Sequence, residues 1–173
     1  CAINRCAKGG KLRRALDLLN EMRRCGLVPN ESTYSSVINA CAKGDQWQRA
    51  LNLLDEMRSC GLVPNEITYN SVINACAQGD EPWRAHNLLD EMRSRGLMPD
   101  VITYNSVIDA CAKGGESQRA SVLLEEMLSH GLVPNAITYS SVINACAKGG
   151  ELRRALNLLD KMRRCGLMPN EIT

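Results

Sequence analysis

The chain has 173 residues, 45% of them hydrophobic and 23% charged, a composition that excludes a disordered segment. Its net charge of +2 selects no class of partner, and no apolar run approaches the length of a membrane span. The start, CAINRCAKGG, has neither the basic-then-apolar layout nor the cleavage site of a secretory signal; since residue 1 is not Met and falls inside a repeat, any targeting segment is expected outside this stretch.

Cysteine usage points inward. Cys6, Cys41, Cys76, Cys111 and Cys146 recur every 35 residues, Cys25, Cys60 and Cys165 form a second, incomplete series, and Cys1 stands alone. There is no C-x-x-C and no cluster with His at zinc spacing. One cysteine per unit, set between alanines as in Ala75-Cys76-Ala77, predicts a small hydrophobe filling the core, in a reducing compartment and without metal or other cofactor.

All four tyrosines (Tyr34, Tyr69, Tyr104, Tyr139) and five of six prolines (Pro29, Pro64, Pro99, Pro134, Pro169) keep the same step of 35 residues. Such a period marks a repeat architecture. A truncated unit, 1–30, is followed by complete units at 31–65, 66–100, 101–135 and 136–170, and 171–173 begin another, so the chain reads as a single array.

Each unit predicts two helices. In the unit 31–65, Trp47 aligns with Leu152 of the last unit, at a core position of the second helix. In the unit 66–100, Tyr69, Val72, Ile73 and Cys76 are spaced as the buried stripe of an amphipathic helix. Asn65 is its predicted N-cap, with Pro64 just outside, and Gly79 is expected to end it in a left-handed conformation. Ile67, Asn70, Asn74 and Gln78 form a separate, mostly polar stripe, and Pro82 sits in the first turn of the second helix, where its missing N–H costs little. The last unit shows the second helix most clearly: Leu152, Ala155, Leu156, Leu159 and Met162 share a stripe that stops before Gly166. Ala50, Ala85, Ala120 and Ala155 hold one position in that helix, where a small residue lets paired helices approach closely. Acids such as Asp55-Glu56, Asp90-Glu91 and Glu125-Glu126 read as an outer, solvated layer, with Arg58 and Arg93 placed to pair three or two residues back. Stacked hairpins bury both stripes, which predicts an all-α solenoid.

Strings such as Val101-Ile102-Thr103-Tyr104-Asn105-Ser106-Val107-Ile108-Asp109, then Cys111-Ala112-Lys113-Gly114-Gly115, Glu125-Glu126-Met127 and Gly131-Leu132-Val133-Pro134-Asn135, recur throughout. This pattern resembles the pentatricopeptide repeat family, in an array of the P type; the tetratricopeptide signature W-x2-L-G-x2-Y is absent. The resemblance implies a right-handed superhelix of antiparallel hairpins that binds single-stranded RNA, one base per unit. It implies that the residue after the first-helix tyrosine and the last residue of the unit choose the base jointly. Here those pairs are Ser35 with Asn65, Asn70 with Asp100, Asn105 with Asn135, and Ser140 with Asn170, which imply 5′-A-U-C/U-A-3′. Ile67, Ile102, Ile137 and Ile172 match the position that sandwiches each base, from which Ser32 departs. Lys8, Lys43, Lys113 and Lys148 match the lysine that meets the RNA backbone, which Gln78 replaces once.

Simpler roles compete for the same residues. The Asn or Asp closing each unit is a good N-cap, Asn70 and its counterparts suit a solvated helix face, and a lysine near a helix C-terminus favours the dipole. Capping and base reading coexist only if the side chain can leave the helix end. His86, His130 and the two tryptophans are read as surface or core residues rather than ligands. No nucleophile–base pair, phosphate-binding glycine loop or deaminase signature is present, so no catalytic residue is assigned. The leading expectation is an RNA-binding module of organellar RNA metabolism, mitochondrial or plastid by resemblance, with no small-molecule substrate and no membrane. A monomer is expected, with end-to-end association as the other arrangement. The alternative function is a protein-binding helical scaffold.

Overall fold

The computed structural model describes residues 2–168. Among them are ten α-helices: α1 (Ala2–Lys8), α2 (Leu12–Arg24), α3 (Glu31–Lys43), α4 (Trp47–Ser59), α5 (Glu66–Gln78), α6 (Pro82–Ser94), α7 (Val101–Lys113), α8 (Ser117–Ser129), α9 (Ala136–Lys148) and α10 (Leu152–Arg164). None is long and apolar enough to cross a membrane. Odd-numbered helices pack in one continuous row, α1 on α3, α3 on α5, α5 on α7 and α7 on α9. Each even-numbered helix packs on its own partner and, from α2 to α8, on the next odd helix, while among the described residues even helices meet one another only through long side chains. A closely packed row beside a spaced one makes the odd helices the inner, concave layer.

The core follows the sequence stripes. Tyr69, Val72, Ile73 and Cys76 of α5 are fully buried, as are Ala85, Leu89 and Met92 of α6. Each large apolar side chain buried this way stabilises the stack by about 1.5–3 kcal/mol. Cys41, Cys76, Cys111 and Cys146 are buried too, and burial pushes the Cys76 and Cys111 thiols up to about 12. The stripe of α10 is only half covered: Ala155 and Met162 are buried, but Leu152 is 67% and Leu156 53% exposed. Their counterparts show why. Ser117 and Ser121 of α8 lie against Gly149 and Cys146 of the following inner helix, so these positions are buried by the next unit, not by their own.

Gly79 departs from expectation. Its φ is −82°, an ordinary value, and the left-handed residue is Asp80 at 55°. Gly79 is needed for closeness instead: a Cβ there would lie 2.1 Å from Trp47 Cδ1. The contact recurs down the array, Leu12 on Gly44, Pro82 on Gly114 and Ser117 on Gly149, so from α2 to α8 the first residue of the outer helix rests on the C-cap glycine of the next inner helix.

A polar staple joins the units. Arg58 reaches forward, its Nη2 donating to Tyr69 Oη at 3.0 Å and pairing with Glu91 at 2.6 Å, while Tyr69 Oη donates to Glu91 at 3.0 Å. Burial pushes the Tyr69 hydroxyl above its ordinary value. Arg23, Tyr34 and Glu56 repeat the arrangement, as do Arg93, Tyr104 and Glu126. Asp55 holds Arg58 at 3.1 Å as expected, but the second partner of Arg58 is Glu91 in the next unit rather than Glu56 two residues back. At Tyr139 the staple is lost on both sides, because Leu128 stands at the arginine position and Lys161 at the glutamate position. An apolar cavity of about 250 Å³ lies there, lined by Leu128, Leu132, Pro134 and Tyr139 together with Lys161 and Cys165.

Candidate nucleic-acid interface

The inner helices present their second stripe along the concave side. Ile67 is 66% exposed while Asn70 and Asn74 are half-buried, with the core stripe turned the other way. Ile102 and Ile137 repeat Ile67 at 65% and 61% exposure. An isoleucine left this bare beside polar neighbours, unit after unit, is an apolar shelf without a protein partner.

Inner helices start on a side-chain cap. Asn65, Asp100 and Asn135 have extended backbones, and each accepts the N–H of the third helical residue at Oδ1: Thr68 at 3.0 Å, Thr103 at 2.8 Å and Thr138 at 3.0 Å. The cap role is therefore real, and it uses one δ atom only. Among the described residues the second one, Asn65 Nδ2, Asp100 Oδ2 or Asn135 Nδ2, has no partner. Capping thus leaves an acceptor free at Asp100 and a donor free at Asn135, with no need for the side chain to leave the helix end.

In the units 66–100 and 101–135 the residue after the tyrosine meets the cap 30 positions later. Asn70 Nδ2 lies 3.5 Å from Asp100 Oδ1, and Asn105 Nδ2 lies 3.5 Å from Asn135 Oδ1. Ser35, Asn65 and Ile67 line one cavity of about 450 Å³ together with Ser32 and Asn39, so the first pair and the next unit's isoleucine face a common space between units. Ser140 is buried, and its partner Asn170 lies outside the described residues, as do Ile172 and the side chain of Lys8.

The lysines are less free than their exposure suggests. Lys113 Nζ donates to Ala77 O at 3.2 Å and Gln78 Oε1 at 3.3 Å, and pairs with Asp109 at 3.1 Å. Lys148 Nζ donates to Ala112 O at 3.4 Å. Each ammonium thus neutralises the C-terminal carbonyls of the preceding inner helix, while Lys43 makes no such contact among the described residues. The outer-layer histidines form no catalytic arrangement: His86 Nε2 is 3.6 Å from Asp90, and His130 Nδ1 lies 2.8 Å from Glu126 O and 3.4 Å from Tyr104 Oη. Trp83 is exposed, and Trp47 packs on the core with Arg84 5.1 Å above its ring.

The staple was missed from sequence, although Arg23/Arg58/Arg93, Tyr34/Tyr69/Tyr104 and Glu56/Glu91/Glu126 keep the 35-residue frame. The signal was present, but local spacing offered Asp55 and Glu56 as nearer partners.

Over residues 1–173 the chain matches the family model described as the pentacotripeptide-repeat region of PRORP. No curated protein sequence matches it. Among solved structures it is similar to the pentatricopeptide repeat protein PPR10 in complex with an 18-nt psaJ RNA element, at 30% identity and a TM-score of 0.83 over 99% of this chain. The chain spans 25% of that protein's length. It is also similar to the PPR domain of Arabidopsis thaliana protein-only RNase P 1 in complex with tRNA, at 19% identity and a TM-score of 0.86, covering 98% of this chain and 90% of that one. A. thaliana nuclear proteinaceous RNase P 2 aligns at 21% identity and a TM-score of 0.83, over 94% of this chain and 37% of its own. These likenesses agree with the right-handed all-α solenoid, and the chain belongs to the pentatricopeptide repeat family.

Proposed function

We propose that the array is a sequence-specific single-stranded RNA-binding module of organellar RNA metabolism, which holds RNA along its concave side and does no chemistry on it. The observation that carries this reading is the meeting of Asn70 with Asp100 and of Asn105 with Asn135, two residues 30 apart in sequence converging on one edge of each unit. The RNA held by PPR10 and by the PPR domain of protein-only RNase P 1 supports RNA as the partner.

In this reading each complete unit takes one base. Ile67, Ile102 and Ile137, with Ile172 beyond them, supply the flat apolar contacts on either side of the bases, a sandwich of the order of 1 kcal/mol per base, at the low end of the aromatic range. The free δ2 atom of the cap then sorts the pyrimidines. Asp100 Oδ2 accepts and suits the imino N–H of uracil, whereas Asn135 Nδ2 donates and suits the unprotonated ring nitrogen of cytosine. Ser35 with Asn65, and Ser140 with Asn170, would take adenine, giving 5′-A-U-C/U-A-3′. Lys43 is the freest of the described lysines to meet phosphate; Lys113 and Lys148 do so only by sharing their ammonium groups with backbone carbonyls, and Lys8 holds the equivalent place in the truncated unit.

Gel-shift titration of 5′-AUCA-3′ embedded in neutral RNA against base-scrambled competitors tests the reading. Equal affinity for both refutes the specificity. Retained RNA binding after Asn70→Ala with Asp100→Ala, together with competition by a peptide, would favour a protein-binding scaffold instead.

A further inference from the structure

Resting on the base-reading role proposed above, we propose that Thr68, Thr103 and Thr138 are positioning residues: each fixes the orientation of the reading side chain in the unit before its own. The geometry recurs at three junctions. Thr103 Oγ1 donates to Asn70 Oδ1 at 2.5 Å, Thr138 Oγ1 donates to Asn105 Oδ1 at 2.6 Å, and Thr68 Oγ1 lies 2.8 Å from Ser35 Oγ. All three threonines are fully buried. None can turn toward solvent, so the hydroxyl is held where the neighbouring unit's side chain finds it.

A chain of pinned atoms sets the amide. The N–H of Thr103 pins Asp100 Oδ1 as an acceptor at 2.8 Å. The Asp100 N–H in turn donates to Thr103 Oγ1 at 3.1 Å, which leaves the hydroxyl proton for an oxygen. Thr103 Oγ1 is also 2.8 Å from Asp100 Oδ1, but the shorter contact is to Asn70. Turning the Asn70 amide over would place its oxygen against Asp100 Oδ1, where its nitrogen now lies at 3.5 Å. Oδ1 is therefore consumed by the threonine, and the group Asn70 has left for a base is its N–H donor. Asn105 repeats this logic through Asn135 and Thr138, with the Asn135 N–H on Thr138 Oγ1 at 3.1 Å.

The consequence is that base choice in one unit depends on a residue of the next. A reading pair is finished only when the following inner helix docks and brings its threonine. The dependence is invisible in any single unit's pair, because the threonine stands 33 residues after the side chain it orients.

Thr103→Val keeps the shape and β-branching and removes the hydroxyl. The assay is fluorescence competition with the 173-residue chain on RNAs differing only at the base of the unit 66–100, with circular dichroism to confirm the helical fold. Thr103→Val is expected to lower the preference for uracil over cytosine by about five- to tenfold, the worth of one oriented hydrogen bond, and Thr103→Ser to restore it. Thr138→Val provides the parallel test at the unit 101–135, read as the preference for cytosine over uracil, if Thr103→Val does not fold. Unchanged selectivity in a folded valine variant, or equal loss with valine and serine, overturns the proposal. Asn70→Ser with Asp100→Asn, run in parallel, separates the two levels. If that pair redirects the unit to adenine while the valine variants keep their selectivity, the threonine role alone is wrong. If the pair changes nothing, base reading itself fails.

Discussion

Replacing Gly79 with alanine adds one methyl group at the closest contact between an outer helix and the next inner helix. The new Cβ would lie 2.1 Å from Trp47 Cδ1, 2.7 Å from Cγ and 2.8 Å from Nε1, all atoms of a rigid ring. The indole cannot yield a single atom; it must swing as a whole, out from under Arg84. Overpacking of this kind costs about 1–3 kcal/mol. Against that, φ at −82° suits alanine, and the stiffer unfolded chain returns about 0.4–1 kcal/mol. The net loss is about 1–2 kcal/mol, or about 2–8 °C in Tm for a chain of this size. Thermal and urea denaturation of Gly79→Ala, Trp47→Ala and the double variant measure it as a cycle. In the Trp47→Ala background the glycine change should turn neutral or slightly stabilising. An undamaged single variant, or equal damage with and without the indole, refutes the contact as the reason for glycine.

Three further outcomes follow from the packing. Leu128→Arg with Lys161→Glu should rebuild the missing staple on Tyr139 and stabilise the array by more than the two single changes summed, with a coupling of about 0.5–3 kcal/mol in denaturant titrations; Leu128→Arg alone faces Lys161 and gains nothing. A thiol reagent at neutral pH should modify exposed Cys25, Cys60 and Cys165 in the native protein and reach Cys41, Cys76, Cys111 and Cys146 only on unfolding, as peptide mass spectrometry would show; fast native labelling of Cys76 contradicts its burial. Burial alone would raise the Glu91 carboxyl, but hydrogen bonds from Arg95 and Arg58 outweigh it and hold the group below its ordinary value. A depressed carboxyl adds stability that is full above its unfolded pKa of about 4.3 and is lost as pH falls through the folded value, so Glu91→Gln should flatten the acid side of the stability curve below about pH 5.

The repeat frame made the helices and their buried faces legible, because 3.6-residue periodicity reports which side of a helix avoids water. Periodicity speaks only for the helix that carries it. In sequence Gly79 looks like a turn residue, since nothing nearby demands its smallness; the demand comes from Trp47, 32 residues earlier. The half-bare stripe of α10 has the same origin, for Leu152 and Leu156 occupy positions that a following unit covers. At the candidate interface, Asn65, Asp100 and Asn135 looked torn between two roles, and only the atomic arrangement shows that the two δ atoms divide them. Lys113 illustrates the reverse: its place on the stripe was legible, but its grip on the Ala77 carbonyl was not, because that contact crosses from one unit to another.

The separation of the outer helices gives the array the mechanics of a coil spring. Stiffness is concentrated along the inner row, while the outer helices are bridged only by side chains, so small rotations at each junction can change pitch without unpacking one outer helix from another. The Arg–Tyr–Glu staples limit that compliance at three junctions, and the one at Tyr139 lacks this restraint. Under tension along its axis, the spring should open first between the units 101–135 and 136–170.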